Sequence, residues 1–104
     1  HAYPVPTAED RITVEVLNGS GRPGLARVAT RVLRSQGLDV VYLGNGPAVD
    51  STTVYVRQGN EAAGKRVRRA LAQGRLTSAR DTTRHVDVSV VLGPDYRAPD
   101  DVHP

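Results

Sequence analysis

Apolar and polar positions alternate strictly through residues 11–17: Ile12, Val14 and Val16 on one side, Thr13 and Glu15 on the other. That period belongs to a strand with one buried face. Asn18-Gly19-Ser20-Gly21 ends the run, because Asn and Gly accept backbone conformations that β-branched residues resist. From Pro23 the period lengthens. Leu25, Val28, Ala29, Val32 and Leu33 trace a helical stripe with Arg27, Arg31 and Arg34 on the outer side. Pro23 suits the first helical turn, and Gly37 suits the position just past the end.

The rest of the chain divides in the same way. Asp39 to Leu43 is a short apolar run closed by Gly44-Asn45-Gly46-Pro47, and Thr52 to Arg57 is rich in Thr, Val and Tyr; both are predicted strands. Asn60 is placed to cap a second helix from Glu61 to about Ala72, which buries Ala63, Val67, Ala70 and Leu71 and ends at Gly74. Residues 75–85 show no period and are expected to form a polar loop. His85 to Leu92 alternates again, with Val86, Val88, Val90 and Leu92 inward and Asp87 and Ser89 outward, and Gly93-Pro94 closes it.

The element order is therefore β-α-β-β-α-β. One-sided strands and two amphipathic helices predict an α+β fold, a two-layer sandwich of a four-stranded sheet with both helices on one face. Its natural topology is ferredoxin-like, strand order 4-1-3-2. Residues 1–10, with two prolines and no apolar period, are expected to be a linker; residues 11–96 form the domain, and 97–104 a disordered tail.

Length and composition narrow the picture. With 104 residues there is room for one small domain. The chain has no Phe, Trp, Met or Cys, so Val, Leu, Ile and four Tyr must fill the core. The absence of Cys also excludes disulfides, Cys-ligated metals and thiol catalysis. No run of about 18 apolar residues exists to span a membrane, and the start does not read as a signal peptide. The opening His1-Ala2-Tyr3-Pro4, without Met, is what a fragment is expected to show, which leaves room for an anchor upstream. Charge is uneven. Residues 1–56 are neutral; residues 57–84 set Arg57, Lys65, Arg66, Arg68, Arg69, Arg75, Arg80 and Arg84 against Glu61 and Asp81, net +6; residues 85–104 set Arg97 against Asp87, Asp95, Asp100 and Asp101, net −3. Such a basic stretch suits phosphate- or carboxylate-rich polymers, and it equally suits a solvated helix face.

Catalytic and cofactor motifs do not assemble. Gly19-Ser20-Gly21-Arg22-Pro23-Gly24 matches the glycine pattern of a dinucleotide turn, yet the second strand ends in Tyr42-Leu43-Gly44-Asn45, without the acidic residue that binds ribose. The reading preferred here is a tight corner made by Asn18, Gly19, Ser20, Gly21 and Gly24, with Ser20 capping the helix. Ser20 does not sit in a hydrolase elbow, because the residue two before it is Asn18. His1, His85 and His103 show no metal-ligand spacing. The acidic pairs Glu9-Asp10 and Asp100-Asp101 lie in the tails. RNA-recognition modules share the βαββαβ order but stack bases on aromatics, where the outward positions here offer Thr13, Glu15, Thr53, Arg57 and one Tyr, Tyr55. No catalytic residue, cofactor, metal or nucleic-acid partner is expected.

The runs Val14-Glu15-Val16-Leu17-Asn18-Gly19-Ser20-Gly21, Gly24-Leu25-Ala26 and Gly37-Leu38-Asp39-Val40 resemble the LytR C-terminal domain family, as do Thr53-Val54-Tyr55-Val56, the Ala62-Ala63 to Leu71 helix and the closing Val90-Val91-Leu92-Gly93-Pro94-Asp95-Tyr96. The resemblance covers residues 11–96 and departs at Leu38, where an aromatic often follows the glycine. It implies a non-catalytic, extracytoplasmic accessory domain of bacterial cell-envelope proteins. Such domains occur behind LytR–CpsA–Psr glycopolymer transferases or alone after a single membrane anchor; no transferase residue is present to carry over. Wall glycopolymer, peptidoglycan or an envelope-assembly protein is the partner it implies. Lys65, Arg66, Arg68, Arg69, Arg75, Arg80 and Arg84 are the expected contacts for an anionic polymer. Two alternatives stand beside this: self-association or docking through an open sheet face around Leu17, Tyr55 and Val91, and a small anion or nucleotide at Gly19–Gly24.

Overall fold

The computed structural model describes residues 11–99; the expected linker and the tail from residue 100 onward lie outside the described residues. Seven elements follow in order: β1 (Thr13–Asn18), α1 (Leu25–Ser35), β2 (Asp39–Asn45), β3 (Thr53–Val56), α2 (Glu61–Leu71), β4 (Arg75–Ser78) and β5 (Val88–Leu92). The α+β class holds, with the two helices touching each other over one face of the sheet.

The sheet differs from the expectation in count and order. It has five strands, in the order β2-β1-β5-β3-β4. The additional strand, β4, lies inside the segment expected to be a loop. It is only four residues long, sits at an edge and is nowhere fully buried, so it leaves no period to read. The topology is not ferredoxin-like. β1 pairs in parallel with β2, and β3 in parallel with β4, so each helix joins neighbouring strands and the chain contains two plain βαβ units. β5 lies between the units, parallel to β1 and antiparallel to β3. All five of its residues are buried. The sequence Val88-Ser89-Val90-Val91-Leu92 is the near-continuous apolar run of a strand covered on both faces, and that composition is the signal for a central position.

The core lies between sheet and helices. Val14, Val16, Val40, Val54, Val88, Val90 and Leu92 from the sheet meet Ala26, Ala29 and Leu33 of α1, and Ala63, Val67 and Leu71 of α2, with Leu38 and Tyr96 completing the cluster. The expected inward positions of β1 and β5 all belong to it except Ile12, which packs partly buried against its margin, and Val86, which is buried just before β5.

Helix ends follow local chemistry. Gly37 takes φ 83° after α1, and its N–H donates to the Arg34 carbonyl (3.0 Å) while the Leu38 N–H donates to the Leu33 carbonyl (3.1 Å). This is a Schellman closure, with Leu33 and Leu38 as its apolar contact. Asn60 caps α2 as expected, its side-chain oxygen accepting from the Ala63 N–H at 3.1 Å.

Candidate functional site

The two helices carry their basic side chains away from the core. On α1, Arg27, Arg31 and Arg34 are exposed at i, i+4 and i+7; on α2, Lys65, Arg66, Arg68 and Arg69 are exposed. Against these seven cations the helices hold one acid, Glu61. The layer therefore carries net +6, half of its arginines coming from a helix whose segment of sequence is neutral in linear count. Of the acids in that segment, Glu15 faces the other side of the sheet and Asp39 pairs with Arg11. Summing charge along the chain hides what helical periodicity shows, that α1 has a basic outer stripe.

Two arginines tie the layer to nearby carbonyls. Arg66 donates from Nη2 to the Gln36 carbonyl just beyond α1 (2.9 Å), and Arg34 from Nη2 to the Val40 carbonyl of β2 (2.8 Å). Cations placed at the carboxyl end of α1 interact favourably with its dipole. A shallow groove of about 490 Å³ opens there, lined by Gln36, Arg66, Arg69, Ala70 and Ala72.

The expected seven-residue contact set divides in the structure. Lys65, Arg66, Arg68 and Arg69 share the helical layer, and Arg75 is exposed on the β4 edge beside α2. Arg80 is exposed just past that edge. Arg84 belongs to the opposite face, where it pairs with Glu15 and with Asp81. The Thr83 hydroxyl (2.6 Å) and N–H (3.0 Å) donate to Asp81, and together with the Arg84 and Arg57 charges they hold its carboxyl below the usual range.

That opposite face is not the half-apolar surface expected from the sequence. Leu17 is 7% exposed and Val91 2%. The connection between β2 and β3, residues 46–52, crosses the carboxyl ends of β1 and β5 and comes down on Leu17. Further along the face, Arg57 donates from Nε to Ser89 Oγ (2.9 Å) and lies 4.7 Å over the Tyr55 ring, while Arg84 covers Glu15. The strands are wet-side in period but covered in fact, so docking through Leu17, Tyr55 and Val91 lacks its apolar patch.

The glycine-rich corner is closed by its own side chains. Ser20 donates from its hydroxyl (2.6 Å) and N–H (3.1 Å) to Asn18 Oδ1, the Arg22 N–H donates to Ser20 Oγ (2.9 Å), and Asn18 Nδ2 donates to the Arg22 carbonyl (2.7 Å). Ser20 thus organises the turn and does not cap α1, whose N-cap is Gly24 with no side-chain bond. Gly19 is required by proximity: an added Cβ would lie 2.2 Å from the Pro47 carbonyl oxygen. The Arg22 guanidinium reaches back to the Pro94 (3.1 Å) and Tyr96 (2.7 Å) carbonyls. A groove of about 380 Å³ remains beside the corner, lined by residues that include Asn18, Arg22, Asn45 and Gly46. Ser20 follows the carboxyl end of β1 and His85 precedes the amino end of the parallel β5, so the two stand at opposite ends of the sheet.

Among the described residues, no three His, Asp or Glu side chains come together as a metal site, and no helix is long and apolar enough to cross a membrane. No curated protein matches the chain by sequence. Among solved structures, the chain is similar to the solution structure of the C-terminal domain of RV0431, with a TM-score of 0.50 and 26% identity over 89% of this chain and 80% of that one. The family model described as LytR cell envelope-related transcriptional attenuator matches residues 11–96, the same stretch that carries the β1 opening, the corner and the Tyr96 closure. On that match, the chain belongs to the LytR C-terminal family of cell-envelope-associated domains.

Proposed function

We propose that this domain is a non-catalytic, extracytoplasmic accessory module that holds its parent protein against anionic wall glycopolymer through the helical layer. The observation that carries the reading is the segregation of charge: Arg27, Arg31, Arg34, Lys65, Arg66, Arg68 and Arg69 on one side of the sheet, opposed in the helices by Glu61 alone. Guanidinium groups engage phosphate and carboxylate with paired N–H donors. An array of them on two rigid helices suits a repeating, flexible polyanion better than a single small ligand. Family membership supports an envelope role. Arg84 takes no part, because Glu15 and Asp81 already engage it.

Sedimentation with purified wall sacculi across a salt series tests the proposal. Binding is expected at low ionic strength and lost as salt rises to about 0.5 M, where the screening length falls to roughly 4 Å. Arg66→Glu with Arg69→Glu is expected to reduce binding about tenfold or more, and Arg84→Ala is expected to leave it unchanged. Binding that ignores salt, or survives the double reversal, rejects the reading.

A further inference from the structure

The described residues expose three large hydrophobic side chains, and all three are consecutive on one edge strand: Val41 (47%), Tyr42 (56%) and Leu43 (39%) of β2. They emerge on both faces of the sheet. Leu43 stands opposite the core residue Val16 and shares a groove of about 290 Å³ with Gly24, Ala26 and Arg27, so it lies on the helix side. Tyr42 stands opposite Glu15 and lies on the other side. Its ring runs along the strand over Gly44, where an added Cβ would come 2.7 Å from the hydroxyl. The edge at β4 presents Arg75 and no exposed large hydrophobic residue.

The backbone of the β2 edge is poorly suited to an added strand. The Asp39 N–H donates to the Ile12 carbonyl, so the next residue, Val40, turns its own peptide groups outward, and Arg34 occupies the Val40 carbonyl at 2.8 Å. The bulge opposite Val14/Glu15 then breaks the even spacing that a further ladder needs. What the edge offers is side chains, and cations frame them. Arg34 stands at the start of the strand, Arg27 beside Leu43, and Arg22 beside Asn45 and Gly46 at its end. Arg22 and Arg34 are held by carbonyls, which position a guanidinium without neutralising it. No acidic residue falls between Asp39, which Arg11 pairs, and Asp50. A partner resting on one face of the sheet leaves either Tyr42 or Leu43 in water. A lipid interface closes around a protruding rim from both sides, takes a Tyr ring at headgroup level and brings phosphates to the arginines.

We propose that the β2 edge is an insertion rim for an anionic lipid bilayer. Val41, Tyr42 and Leu43 enter the boundary between headgroups and acyl chains, while Arg22, Arg27 and Arg34 meet lipid phosphates. The rim shares Arg27 and Arg34 with the polymer-binding layer. Its apolar determinant is its own, and it does not depend on Arg66 or Arg69.

Flotation with vesicles tests the proposal, using phosphatidylcholine with about 30 mol% phosphatidylglycerol and, in parallel, phosphatidylcholine alone. Half of the protein is expected to float at or below about 1 mM accessible anionic lipid mixture, and the neutral vesicles are expected to bind about tenfold more weakly. The triple change Val41→Ser, Tyr42→Ser and Leu43→Ser is expected to weaken anionic binding about tenfold or more, and Arg27→Glu about tenfold. Arg66→Glu with Arg69→Glu is expected to weaken it less than either. All these positions are exposed, and an unaltered dispersed ¹H–¹⁵N spectrum reports that each variant folds. In bicelles of the anionic composition carrying a spin-labelled lipid, amide broadening of the unaltered protein is expected to centre on residues 41–45. No flotation at about 1 mM lipid, equal binding to the neutral vesicles, binding that survives the triple change, or broadening centred on α2 overturns the proposal. So does a concentration-dependent dimer of the free protein that the triple change abolishes, because the edge then belongs to a second copy.

Discussion

The two faces of the sheet are covered by different physics. Toward the helices, Val, Leu and Ala side chains interdigitate with almost no polar atoms, and stability comes from surface removed from water and from close packing. On the other face neither α1 nor α2 packs; Glu15 and Ser89 are buried beneath Arg84 and Arg57, and Leu17 lies under a crossing loop. The first face tolerates the loss of any one partner poorly because a void remains. The second depends on pairs, in which losing one member leaves the other buried and unsatisfied.

Leu33→Ala on the helical face is expected to have the largest effect. Leu33 is fully buried, and its truncation removes about 2–5 kcal/mol of unfolding free energy in denaturant titration. On the other face, Arg84→Ala leaves the Glu15 carboxylate, 8% exposed, without its cation; a loss of about 1–3 kcal/mol is expected. Replacing both, Glu15→Leu with Arg84→Leu, is expected to restore most of that loss. A double replacement as damaging as the sum of the singles breaks the distinction between the faces.

The smallest effect sharpens it. Tyr96 is 1% exposed and its hydroxyl has no hydrogen-bond partner among the described residues. Burial raises its pKa above 10.0. The folded state therefore keeps a proton that the unfolded chain releases near pH 10, so this group's contribution is intact below pH 10 and declines as pH rises through the folded value. Tyr96→Phe is expected to be neutral or stabilising by up to about 1 kcal/mol at pH 7 and to flatten the alkaline decline of Tm. A marked loss at pH 7 means that the hydroxyl has a partner.

Legibility in the sequence followed the same physics. β1, α1 and α2 were readable because each buries one face, and a single period of 2 or 3.6 residues records that. Gly37 and Asn60 were readable because their roles are local. Strand order was not readable, since it depends on which elements neighbour one another, and β4 had too few buried residues to imprint a pattern. The apolar run Val40-Val41-Tyr42-Leu43 identifies a strand without revealing that only Val40 is buried and the other three side chains stay exposed at an edge. At the candidate site, Lys65 to Arg69 were found as a charge run, whereas Arg27, Arg31 and Arg34 join them only when the two helices lie side by side. Arg84 continues the same run in sequence, yet its partner Glu15 lies 69 positions away.

β5, the last of the described strands in chain order, is the one that fills the centre of the sheet. Until residues 88–92 are made, β1-α1-β2 and β3-α2-β4 have no common edge, and each remains a helix over a two-stranded ribbon, an assembly with too little buried surface to persist alone. The two units are thus expected to close into one domain only when Val88–Leu92 seats between them.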